Sequence, residues 1–113
     1  MNNMDLNEYQ KRALDTAGYD DKYKILYPAL GLGNEAGEVL GKIKKWLRGD
    51  DGEGSISAER TQALKDELGD VLWYVAVLAR DLDLNLEDVA RGNVEKLKSR
   101  KERGAIKGDG DKR

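Results

Sequence analysis

The sequence predicts an all-α fold, a four-helix arrangement in one domain. Apolar residues recur every three or four positions along four segments, which is the helical period. Asp5, Ser57 and Asn85 stand where side chains cap helix starts, and Pro28 suits a helix's first turn. No stretch alternates apolar and polar residues as a half-buried strand would. A chain of 113 residues suits a single core.

The elements follow in order. Asp5-Leu6-Asn7-Glu8 reads as a capping box opening a first helix, with Leu6, Tyr9, Ala13, Leu14 and Ala17 on one side. Gly18 is expected to end it. A second helix is expected from Tyr27-Pro28 to about Arg48. On a wheel stepping about 100° per residue, its core side is Ala29, Leu32, Ala36, Leu40, Ile43 and Leu47. Glu35, Glu38, Lys42, Lys45 and Trp46 share a different face. Gly31, Gly33, Gly37 and Gly41 weaken this helix, which argues for close approach of another helix or a ligand. Residues 49–55 form an acidic, flexible loop. A third helix is expected from Ala58 to Asp81, with Leu64, Leu68, Val71, Leu72, Val75, Leu78, Ala79 and Leu82 inward. A fourth runs from Leu86 to about Lys101, with Ala90, Val94 and Leu97 in its apolar stripe. The helical domain should span 1–102, and 103–113 a Gly-rich, charged, flexible tail.

Composition removes several chemistries. Charged residues make up 37%, yet the net charge is only −2, which argues against a general nucleic-acid binder. The chain has no Cys and no His. Thiolate and imidazole metal sites are therefore excluded, as are Ser/His/Asp and Cys/His catalysis. No window approaches a membrane span and the N-terminus does not read as a leader, so a cytoplasmic protein is expected.

Two acidic pairs stand out: Glu35-Ala36-Gly37-Glu38 and Glu67-Leu68-Gly69-Asp70. Each i, i+3 spacing puts two carboxylates on one face, one turn apart. Taken alone, such a pair is usually a solvated acidic face. Two of them beside core faces of consecutive helices invite a cation. At contact distance two like charges repel by roughly 4 kcal/mol at an effective dielectric near 20. Carboxylate oxygens select Mg²⁺, Mn²⁺ or Ca²⁺.

Glu35-x-x-Glu38, then 28 residues, then Glu67-x-x-Asp70 resembles the signature of the MazG-like nucleoside triphosphate pyrophosphohydrolases. The flanking words are similar too: Gly33-Asn34-Glu35-Ala36-Gly37-Glu38-Val39 and Asp66-Glu67-Leu68-Gly69-Asp70-Val71-Leu72-Trp73-Tyr74. Asn93-x-x-Lys96-Leu97-x-x-Arg100 resembles the family's fourth-helix motif. The resemblance spans roughly Tyr27 to Arg100. It implies a four-helix MazG-like bundle completed by oligomerisation, as a homodimer or homotetramer. It implies Mg²⁺, with Mn²⁺ as a substitute, held by Glu35, Glu38, Glu67 and Asp70. It implies cleavage between the α- and β-phosphates of an NTP or dNTP, with Glu38 also orienting or deprotonating water. The alternatives are a dUTP- or dCTP-specific enzyme and a non-catalytic helical assembly module that keeps a cation site.

The same resemblance puts Asn93, Lys96 and Arg100 on phosphate; without it they read as a solvated basic helix end. Tyr74 and Trp46 are the candidates for base or ribose contact. Lys42, four residues after Glu38, reads as a surface ion pair with it. Trp73 points away from the acids on the wheel. With Val77 it lacks an obvious intrachain partner and reads as a subunit contact. Arg103, Lys107 and Arg113 lie in the tail, which reads as a solubilising end rather than a flap over phosphates.

Overall fold

A computed structural model describes residues 3–52, 54–104 and 108. Its helices are α1 (Leu6–Leu14), α2 (Leu26–Leu47), α3 (Ala58–Asp81) and α4 (Leu86–Glu102), with a 3₁₀ turn at Asp21–Tyr23 and no strand among the described residues. The three capping residues act as their chemistry predicts. Asp5, Ser57 and Asn85 accept from the backbone N–H of Glu8, Arg60 and Asp88. The capping box at α1 is half made, because Glu8 turns its carboxylate to Arg12 at 3.1 Å.

α1 ends at Leu14, short of Gly18. Asp15, Thr16 and Ala17 close it with tighter bonds back to Arg12, Ala13 and Leu14, so Ala17 lies beyond the helix. α2 starts earlier than Pro28, at Leu26. Its first turn needs no internal N–H bond, so proline fits at the third position. The residue before it, Ile25, has φ 70°, a conformation costly for a β-branched side chain. Asp81 holds it there: its Oδ2 accepts from the Ile25 N–H at 2.9 Å and from the Tyr19 hydroxyl at 2.6 Å.

The loop after α2 is tied rather than free. Asp51 accepts from the Ser57 N–H and hydroxyl and from two nitrogens of Arg60, the shortest at 2.9 Å. Its carboxyl is held below the usual range, first by the hydrogen bond from Arg60. The tail begins as a cap. Arg103 closes α4 and donates its Nε to Ser99 Oγ at 3.0 Å. Lys107 and Arg113 lie outside the described residues.

Burial is concentrated where α1, α3 and the start of α4 meet. Ala13, Ala76, Val77 and Leu86 form the buried cluster, with Leu6, Tyr9 and Trp73 against it. Gln10 is buried there and fully used. Its Nε2 donates to the carbonyls of Ala76 and Leu84, both at 3.0 Å, and its Oε1 accepts from the Leu86 N–H at 3.0 Å. Val77 is thus covered within the chain, against the expectation that it lacks a partner.

α2 packs on α3, but much of the apolar stripe of α2 and parts of those of α3 and α4 are open. Leu40 is 71% exposed and Leu68 59%; Leu47, Leu72, Val94 and Leu97 are also exposed. The radius of gyration is 17.2 Å, against about 13 Å for a compact chain of this length. Among the described residues, α2 in particular leaves much of its apolar stripe uncovered.

Candidate functional site

The site lies on the paired faces of α2 and α3. Glu35 comes from α2, Glu67 and Asp70 from successive turns of α3. One carboxylate oxygen from each of the three lies within 4.8 Å of the others. Glu38, one turn beyond Glu35, is exposed and outside that group. The Glu35 carboxyl is raised above its ordinary range. The first cause is its hydrogen bond with Glu67, followed by burial and the negative charges of Glu67, Asp70 and Glu38. Close carboxylates hold a proton because both cannot ionise cheaply.

Glu67 carries the sharpest signal. Its Oε2 is buried and no N–H or hydroxyl reaches it, so only a proton shared with Glu35 or a cation can satisfy it. Its Oε1 faces the Lys42 ammonium at 3.5 Å, with the two side chains 15% and 22% exposed. Lys42 therefore pairs across the helices, not with Glu38 as its i, i+4 spacing suggests. A buried, unpaired anionic oxygen is costly. An all-oxygen donor set with such an orphan fits a hard divalent cation.

An open cavity of about 350 Å³ adjoins the acids, lined by Thr16, Glu35, Asp70, Trp73 and Tyr74. Trp73 belongs to this wall, which corrects its reading as a residue turned away from the acids. Its indole N–H donates to Thr16 Oγ1 at 2.7 Å, and that hydroxyl donates to the Ala13 carbonyl at 2.8 Å. The rings of Trp73 and Tyr74 meet edge-on, with centroids 4.9 Å apart. Tyr74 lies against Gly31, where a Cβ would sit 2.1 Å from the ring. That glycine is the close approach its helix needs, and it is made inside the chain. Gly33, Gly37 and Gly41 face open space. Burial raises the Tyr74 hydroxyl pKa, helped by Tyr27. Trp46 is half-buried farther along α2 and does not line the cavity.

On α4, Asn93 is exposed, Lys96 half-buried and Arg100 buried at 3% exposure. Arg100 is thus no solvated helix end. Neither Thr16 nor the cross-helix role of Lys42 carries a signal in the sequence. Lys42 does share the Glu35 stripe at i+7, but its partner lies on another helix.

The model of the MazG nucleotide pyrophosphohydrolase domain matches residues 27–104. The chain belongs to this family. Among curated relatives, Gene 37 protein of Mycobacterium phage L5 is 47% identical over 116 aligned residues, covering 97% of this chain and 100% of that protein. The protein YvdC of Bacillus subtilis (strain 168), whose name describes it as uncharacterized, is 38% identical over 72 residues, 61% of this chain and 68% of YvdC. No solved structure gives a significant match. The matched segment of this MazG-family chain contains both acidic pairs, the cavity wall from α3 and all of α4. Among the described residues, no helix is long and apolar enough to cross a membrane.

Proposed function

We propose that this MazG-family protein hydrolyses a nucleoside triphosphate, NTP or dNTP, to monophosphate and pyrophosphate in a Mg²⁺-dependent reaction, with Mn²⁺ as a substitute. The observation that carries the reading is the convergence of Glu35, Glu67 and Asp70, with Glu67 Oε2 buried and unpartnered. These three carboxylates would hold the cation. Bound there, Mg²⁺ would supply the positive charge that a triphosphate needs as its anhydride breaks. Glu38, exposed one turn beyond Glu35, would join the ligands and orient or deprotonate the attacking water. Asn93, Lys96 and Arg100 of the fourth-helix motif would donate to phosphate oxygens. The cavity gives the nucleoside room against Tyr74, while Trp46 remains a base contact only from farther along α2.

The reading includes a role in clearing unwanted nucleotides from the cytoplasm, without nucleic acid or membrane as partner. It also includes self-association as a homodimer or homotetramer. The exposed leucines of α2 and α3 support this better than Trp73 and Val77 do. Multi-angle light scattering is expected to give at least a dimer; a stable monomer at micromolar concentration would reject the assembly. The helical domain is taken as 1–102, with 103–113 as its tail.

Pyrophosphate release from a panel of nucleoside triphosphates tests the activity. dUTP and dCTP belong in it as the narrower alternatives. Glu67→Gln and Glu38→Gln keep shape and remove one charge each. Each is expected to lower turnover by at least about a hundredfold. Near-normal turnover in both would leave the acids a surface feature. A wild type that binds Mg²⁺ but turns over nothing in the panel would be the assembly module instead.

A further inference from the structure

We propose that Lys42 is a positioning residue for the cation site. It pins one oxygen of Glu67 so that the other is presented as a single-oxygen ligand. The inference rests on the reading of Glu67 as a ligand and goes beyond it. Three observations carry it. The ammonium reaches from α2 across to α3 and meets Glu67 Oε1 at 3.5 Å, and both side chains are mostly buried. Glu67 Oε2 is buried and no N–H or hydroxyl reaches it. Glu35 and Lys42 are seven residues apart on α2, two turns along one stripe, and both face Glu67.

The geometry assigns each Glu67 oxygen a task. A carboxylate with two free oxygens can rotate and bind a cation through either or both. One held by an ammonium has a fixed plane and one free oxygen. Groups that orient ligands in this way typically change cation affinity 10–100-fold when removed. A simple charge argument predicts the reverse. Lys42 is a cation beside a cation site, so removing it would relieve repulsion and tighten binding. The two accounts therefore differ in sign.

Titration calorimetry of Mn²⁺ alone, without nucleotide, separates them. Lys42→Met is expected to bind Mn²⁺ about tenfold more weakly than wild type, and Lys42→Arg within about threefold of it. A merely structural ion pair would lower the unfolding temperature without moving this affinity. If Lys42→Met does not fold, Lys42→Gln is read by the same criterion. Unchanged or tighter Mn²⁺ binding in the neutral variant would overturn the proposal while leaving the cation site standing. A wild type that binds no Mn²⁺ would overturn both this proposal and the cation-dependent function on which it rests.

Discussion

The junction of α1, α3 and α4 and the paired faces of α2 and α3 are built from similar helices, yet they are finished to different degrees. At the junction every polar group of Gln10 is used and Val77 is fully covered. On the α2–α3 face, carboxylates crowd, one buried oxygen is orphaned, and leucines stand open. The first region is completed by the chain itself. The second has the unmet charge and apolar surface expected of a place completed by other molecules. Stability and function therefore pull on different residues, and substitutions at the acids and at the junction should read out differently.

The largest expected effect is at the junction. Gln10→Leu keeps volume but strips partners from two carbonyls and an N–H. It should cost about 2–4 kcal/mol in chemical denaturation. Mn²⁺ affinity of the remaining folded protein should be unchanged. A loss of less than about 1 kcal/mol would mean that the junction is not the keystone described.

Glycines within α2 sharpen the contrast. Gly31→Ala would drive a methyl into the Tyr74 ring, and overpacking of this kind costs about 1–3 kcal/mol. Gly41→Ala meets open space in the single chain and should stabilise by up to about 1 kcal/mol. Thermal unfolding of both variants reads the difference. Destabilisation by Gly41→Ala would show that a second copy packs against that helix face.

Much of this contrast is legible in sequence, but only its local half. Asp5, Ser57 and Asn85 are readable because a cap is settled within three residues. The acidic pairs are readable because i, i+3 spacing fixes a face. The apolar stripes of α2 and α3 are readable as stripes, though Leu40 and Leu68 cannot announce what covers them. Gln10 looks like any polar residue on a first helix, and its three partners lie more than sixty positions away. Lys42 misleads for the same reason, since Glu38 is near in sequence and Glu67 is near in space. Trp73 is placed by Thr16, a residue just past the end of a helix that closes earlier than its glycine suggests.

Two carboxylates on the α2–α3 side also differ in their response to acid, a smaller effect. Glu35 has a raised folded pKa, because of Glu67 first. Its proton is held more tightly folded than unfolded. Without cation, stability should fall as pH rises from the unfolded carboxyl value through the raised one. Glu67→Gln should flatten that fall, and Mg²⁺ should cancel it in wild type. Asp51 works oppositely. Its folded pKa is lowered by Arg60, so its contribution is present above the unfolded value and is lost as pH falls through the lowered one. Asp51→Asn should remove that acid-side loss. Unfolding temperatures between pH 3 and 8 in EDTA check both signs. Equal slopes in wild type and Glu67→Gln would mean that the α2–α3 carboxylates are not coupled.

The central claim is that the α2–α3 face becomes a hydrolytic site when it holds a divalent cation. Phosphorus NMR of the products from wild-type protein and a nucleoside triphosphate tests it most directly. The account predicts nucleoside monophosphate and pyrophosphate in equal amounts with Mg²⁺, and no turnover in excess EDTA. Orthophosphate as the first product, or undiminished turnover in EDTA, would contradict it.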